Sequence, residues 1–226
     1  AIGFLRQRQV DVSALQIAGA PTGTVTVQLD DSGQALFNIS DNVAWDHIVW
    51  SEKWSDLAAS ADAICFGSLA QRGDTSRQTI QKFINATPAS SLKVFDMNLR
   101  APFYAPDTLI QSLELANVLK LNDQELCVIA NILSLSGETI DILKSLQDDY
   151  QISSIALTQG AAGAMLLRHS EAVRVPSVPT TVVDTVGAGD AFTAALMIGL
   201  LNEQPLKEIA HFASGVSSYV CSQRGA

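Results

Sequence analysis

The chain has 226 residues, 47% hydrophobic and 16% charged, enough for one large domain, or a domain with a small appendage, around a sizeable core. A formal net charge of −9 and an isoelectric point near 4.6 argue against nucleic acid and anionic membranes, which would be repelled at long range, and leave a small molecule as the expected partner. Cys65, Cys127 and Cys221 lie more than 60 residues apart, with neither metal-ligand spacing nor an even-numbered disulfide framework, which fits a reducing cytoplasm. The longest apolar run is about half the ~20 residues of a membrane span, and no signal peptide opens the chain.

The chain starts at Ala1 without methionine and runs at once into a helical pattern, with Ile2, Leu5 and Val10 on one side and Arg6 and Arg8 on the other. An N-terminal part of the protein is therefore expected to be missing. From Thr22, "TGTVTVQL" alternates polar and apolar residues, "DDSG" supplies a turn and "QALFNIS" returns, which predicts a hairpin. Residues 21–45 are read as a projecting β lid whose apolar face, Val25, Val27 and Leu29, meets a second copy of the chain. Beyond Trp54 the pattern changes. "AICFG", "LKVFD", "NVLKLN" and "ISSIALT" read as strands, and "DTSRQTIQKFI", "PDTLIQSLEL", "DQELCVIANIL" and "TIDILKSLQDD" as the helices between them, with Pro106 placed for a first turn. This alternation predicts one α/β domain over 1–226, a mainly parallel sheet with helices on both faces, whose ligands bind beyond the carboxyl ends of the strands.

The stretch "DTVGAGDAFTAALMIGLL" sets two glycines and two aspartates against a nearly apolar helix. Gly187 and Gly189 allow a tight turn and close approach to the backbone. The first N–H groups of the following helix are unpaired and its dipole is positive there, so the loop from Gly187 through Ala188 and Gly189 to Asp190 suits anionic oxygens. Asp190, ionised beside them, could take a proton from a neighbouring hydroxyl, as phosphoryl transfer to an alcohol requires. The competing reading is a glycine-rich turn with a capping aspartate. The dinucleotide fingerprint is excluded, because its third glycine is missing, and so is the Walker-type phosphate loop.

"DTVGAGDAFTAAL" closely resembles the C-terminal signature of the ribokinase-like, or PfkB, carbohydrate kinases. "KLNDQEL" resembles the family's N-x-x-E element and "LTQGAAGAMLL" its nucleotide-binding strand-turn-strand, in the family's order. With "FDMNLR" the likeness extends from about Pro21 to the end, and "DNVAWD" and "FDMNLR" lean toward the fructokinase-like branch. The resemblance implies an ATP-dependent kinase for a small sugar or polyol, with Asp190 as base and Mg²⁺ organised through water by Asn122 and Glu125. The alternative for that pair is a helix cap. It further implies nucleotide contacts at Thr158, Gly160 and Gly163, otherwise an ordinary turn. Ala213, Gly215 and Ser217 would flank the adenine. Asp184 either helps hold a monovalent cation such as K⁺ or steadies its loop. Asp96, Asn98 and Arg100 follow a strand at its ligand-bearing end; Asn98 and Arg100 are assigned to substrate, with a plain salt bridge as the alternative for Arg100.

His47, His169 and His211 form no cluster and are read as surface or packing residues, and Trp45 and Trp50 as core or lid. The family's opening strands, whose aspartate and paired glycines grip the sugar, have no counterpart here, so the acceptor stays open between sugar and nucleoside. A catalytically silent binding or scaffold protein is the reading from another class.

Overall fold

The computed structural model describes residues 2–29 and 35–225, with side chains for all of these except 27–29 and 35–37. It divides into two compact units, Ala1–Ser60 with Ala70–Pro88, and Ala61–Leu69 with Ala89–Ala226.

The first unit holds α1 (Ile2–Gln7), the antiparallel pair β1 (Val25–Leu29) and β2 (Ala35–Ile39), α2 (Glu52–Ala59) and α3 (Asp74–Ala86). Val25 pairs with Ile39 and Leu29 with Ala35. The "DDSG" turn lies outside the described residues, as do the side chains of Val27 and Leu29. The base of the hairpin is closed by Ser40 N–H on the Thr24 carbonyl at 3.1 Å and Ala44 N–H on Pro21 at 2.8 Å. Polar contacts fix the segment that follows. Arg72 grips Asp46 with two parallel bonds, Nε to Oδ1 at 2.8 Å and Nη2 to Oδ2 at 2.7 Å, and the Ser76 hydroxyl donates to the Trp45 carbonyl at 2.7 Å. The Arg72 bond holds the Asp46 carboxyl below the usual carboxylate range. Trp45 lies so close to the backbone that a Cβ on Gly23 would come within 1.8 Å of its ring, and Trp50 and Trp54 pack edge-on against Phe83.

The second unit is built on a six-stranded sheet in sequential order: β3 (Ala63–Gly67), β4 (Leu92–Asp96), β5 (Val118–Asn122), β6 (Ser154–Thr158), β7 (Ala164–Arg168) and β8 (Glu171–Val175). The first four are parallel and the last two antiparallel. Helices α4 (Pro106–Leu115), α5 (Asp123–Ile132) and α6 (Thr139–Tyr150) link the parallel strands, and α7 (Ala188–Leu201) and α8 (Leu206–Cys221) follow the sheet. Side chains alternate across a strand, which assigns the two faces. Val94, Val118, Ala156, Ala164 and Leu166 form one core with Phe192, Ala195 and Leu196 of α7 and Ile209, Ala210 and Ala213 of α8. Their neighbours Phe95, Leu119, Ile155 and Leu157 turn to the opposite face, which the right-handed rule for parallel crossovers assigns to α4 to α6 with buried Leu109, Leu113, Leu126, Ile129, Leu143 and Leu146. The architecture is the expected mainly parallel sheet covered on both faces, with a small β hairpin besides.

Alternation also decides where the polar strand residues go. Asp96 shares the face of Val94, and Lys120 and Asn122 share that of Val118, so all three point toward the α7 side near the carboxyl edge of the sheet. Helix α7 can lie close to α8 because Gly199 has no side chain: a Cβ there would stand 2.7 Å from Ile209.

Candidate active site

Gly187 takes the left-handed conformation, φ 78°, open to glycine at little cost, and turns the chain into α7 without any side-chain cap. Ala191 N–H already bonds the Gly187 carbonyl at 2.9 Å, so the first turn is formed. Of the amides before it, Ala188 N–H is committed to the Thr185 carbonyl at 3.2 Å. Among the described residues those of Gly187, Gly189 and Asp190 have no acceptor, and the Asp190 carboxylate, exposed on the same turn, has neither a hydrogen bond nor an ion pair. Such a turn can receive an anion with a free carboxylate at its side.

Behind it lies a buried polar group. Lys120 Nζ meets Asp96 Oδ1 at 3.1 Å, with side chains 7% and 8% exposed, and Asp96 Oδ2 accepts the Thr193 hydroxyl at 2.7 Å. Thr193 Oγ1 also lies 3.0 Å from the Gly189 carbonyl. Cys65, on β3, borders the same group. Partial burial, then the charges of Asp96 and Asp190, push its thiol up to about 11, although one side of the residue faces solvent. That shift favours the neutral thiol.

At the end of β5 the capping arrangement is complete. Asn122 Oδ1 accepts Glu125 N–H at 2.9 Å, and Glu125 Oε2 accepts Asn122 N–H at 2.8 Å. Glu125 Oε1 reaches further, to Leu99 N–H at 2.9 Å after β4, and the residue is 4% exposed. Its charge is met only by neutral N–H groups, with no cationic side chain bonded to it among the described residues. This set suits a hydrated divalent cation held through water, as magnesium prefers, better than direct chelation. Among the described residues no three His, Cys, Asp or Glu side chains gather to chelate a metal.

The turn from β6 to β7 uses its glycines unequally. Gly163 has φ 100°, and a Cβ there would come within 2.0 Å of the Val175 carbonyl, so backbone packing alone demands glycine. Gly160, φ 52°, has open space around it. Thr158, Gly160, Gly163 and Ser217 line one cavity of about 80 Å³ with Phe192 and Ser214. Among the described residues the Ser214 hydroxyl, buried there, has no partner, a group that a ligand or water could satisfy. Ala213 is wholly buried in the core beside this cavity, and Gly215 is half-buried with no atom within 4 Å of where a Cβ would stand.

Asn98 follows β4 with φ 38°, and exposed Arg100 donates to the adjacent Leu99 carbonyl at 2.9 Å and forms no ion pair among the described residues. Asp184 accepts N–H groups from Val186 at 3.0 Å and Gly225 at 3.1 Å, which hold its carboxyl below the usual range. Its oxygens thus tie the loop before α7 to the end of the chain.

Sequence reasoning had picked out Asp96 without a role and had missed Lys120 and Ser214. Lys120 had a readable signal: a lone cation in the alternating run "VLKLN", on the face that must be buried with Val118.

The chain is similar to known proteins. The chain is 31% identical over 213 residues to an uncharacterized sugar kinase of Pyrococcus horikoshii, across 91% of this chain and 64% of that protein, and 31% identical over 204 residues to a fructokinase of Klebsiella pneumoniae, across 87% and 64%. It thus spans about two thirds of the length of each, just under that fraction. The solved structure of the Pyrococcus protein in complex with ATP superposes with a TM-score of 0.82 at 28% identity, over all of this chain and 73% of that one. The pfkB carbohydrate kinase family model matches residues 2–226, and the chain belongs to that family.

Proposed function

We propose that this chain carries the phosphoryl-transfer site of an ATP-dependent sugar kinase acting on a hydroxyl of a small sugar or polyol, with the fructokinase likeness favouring a ketohexose. The observation that carries the reading is the first turn of α7, where, among the described residues, three amides without acceptors adjoin a carboxylate without partners. The relatives named as sugar kinase and fructokinase and the ATP complex of the Pyrococcus protein supply the substrate classes.

In this mechanism Asp190 accepts the proton of the acceptor hydroxyl as its oxygen attacks the γ-phosphorus, and the bond to the bridging oxygen breaks to release ADP. The N–H groups of Gly187, Gly189 and Asp190 hold the transferred oxygens, while Ala188 shapes the turn through its own bond to Thr185. Asn122 and Glu125 would hold Mg²⁺ through water, the ion drawing charge from the phosphate oxygens. Thr158, Gly160, Gly163 and Ser217 would border the nucleotide, with Gly215 and the core residue Ala213 on the helix beside it. Asn98 and Arg100 are assigned to the substrate side, and Asp184 to K⁺ or, as its two N–H partners favour, to fixing the loop. The free thiols suit the cytoplasm, where we place the reaction. We further assign the hairpin to a homodimer contact: Val25 is 51% exposed on β1, and a two-stranded ribbon needs a partner.

The test is ATP consumption with Mg²⁺ against hexoses, pentoses, keto-deoxy acids and nucleosides. Transfer to a hexose or pentose is expected. Transfer only to nucleosides would move the acceptor class, and no consumption by the full-length protein would make it a silent binding protein.

A further inference from the structure

Lys120 is an expensive residue to keep where it is. A buried ion pair gains little over apolar side chains of equal size, because both charges must leave water. The pair with Asp96 occupies the α7 face of the sheet, beside a core otherwise built of Val94, Val118, Phe192 and Leu196. Its placement accounts for the expense. A Cβ on Gly189 would stand 3.2 Å from Lys120 Nζ, a tight contact, so the ammonium lies directly behind the first turn of α7. Only one of its three N–H groups meets Asp96. Asp96 in turn receives the hydroxyl of Thr193, one turn along α7, which also lies against the Gly189 carbonyl.

We propose that Lys120, with Asp96 and Thr193, is a positioning residue for phosphoryl transfer: it sets a positive charge behind the amides of Gly187, Gly189 and Asp190 and pins the turn that aims them. Gly189 is then glycine for the room the ammonium takes as well as for approach of a ligand from the front. Asp96 balances the charge of Lys120 in the absence of ligand and, through Thr193, couples its position to the helix. The inference rests on the anion-site reading of this turn and adds to it the source of its charge and rigidity.

The test is titration of the 226-residue chain with inorganic phosphate, followed by the backbone amide shifts of Gly187, Gly189 and Asp190, with thermal unfolding of the same samples. In the double variant K120M/D96N the buried pair becomes neutral, and phosphate affinity should fall about ten-fold or more while the melting temperature stays within a few degrees. A second pair of variants covers a double variant that does not fold. Thr193→Ser keeps the hydroxyl and should bind phosphate as the parent does, and Thr193→Val should bind about three-fold or more weakly and slow transfer from ATP at unchanged nucleotide affinity. Parental phosphate affinity in folded K120M/D96N, or identical behaviour of the two Thr193 variants, would overturn the proposal while leaving the anion site intact. Phosphate that shifts none of the three amides in the parent would overturn the anion-site reading and this proposal with it.

Discussion

Helices α5 and α7 start near the same carboxyl edge of the sheet and treat their first turns in opposite ways. At α5 the side chains close the turn: Asn122 and Glu125 bond each other's amides, and Glu125 extends to Leu99 on the neighbouring connection. At α7 there is no side-chain cap, and among the described residues three amides have no acceptor and the carboxylate on the turn has no partner. A helix start that satisfies itself contributes to the fold, whereas one left open gives up that contribution and keeps its donors for a ligand. The difference teaches that an acidic residue three places into a helix has no single meaning. Its surroundings differ: Glu125 is bonded into the cap on both oxygens, whereas Asp190 has no partner among the described residues and is the one we propose as the base.

Breaking the closed turn should cost the fold most. In Glu125→Gln one of the two N–H donors, from Asn122 or Leu99, must face the new amide's NH₂ in a buried site, and the loss should be about 1–3 kcal/mol in denaturant unfolding. Turnover should also fall, with a higher Mg²⁺ concentration needed for half-maximal rate. An unchanged unfolding midpoint would show that Glu125 is not the closed cap described.

A smaller effect is expected at the loop before the open turn. Asp184 has its carboxyl lowered by the amides of Val186 and Gly225, so its contribution is complete above the ordinary value of about 3.9 and is lost as pH falls through the lowered one. The Gly225 amide shift should follow that titration, with an apparent pKa below 3.9. An ordinary or raised value would remove the tether.

Much of the fold was legible. Pro106 opens α4 as expected, and the four parallel strands and the helices between them fall within a few residues of the runs that suggested them, because each carries its own period. The expected first helix stops at Gln7, short of Val10, with no buried residue to hold it longer. β8 and α8 were not anticipated, although "EAVRV" alternates and Leu206, Ile209, Ala210 and Ala213 share a helical stripe. Within the site, the run from Gly187 to Asp190 was readable from its residues, and the resemblance to the carbohydrate kinases marked the other glycines and carboxylates. Neither could tell that Gly163 is forced by the Val175 carbonyl while Gly160 is not, or that Lys120 stands behind Gly189, because these are contacts between elements distant in sequence.

The central claim, that the open turn of α7 is the chemical one, is tested most directly by Asp190→Asn in the sugar kinase reaction we propose. Asp190 has no bonding partner among the described residues, so asparagine should change stability by less than about 1 kcal/mol, the loss of a charge at a helix start. Nucleotide affinity should hold or tighten slightly as a negative charge leaves the triphosphate site. Single-turnover transfer from ATP to the best acceptor should fall roughly 10²- to 10⁴-fold. Transfer within a few-fold of the parent, with stability and nucleotide affinity unchanged, would contradict the account and reduce Asp190 to an ordinary first-turn aspartate.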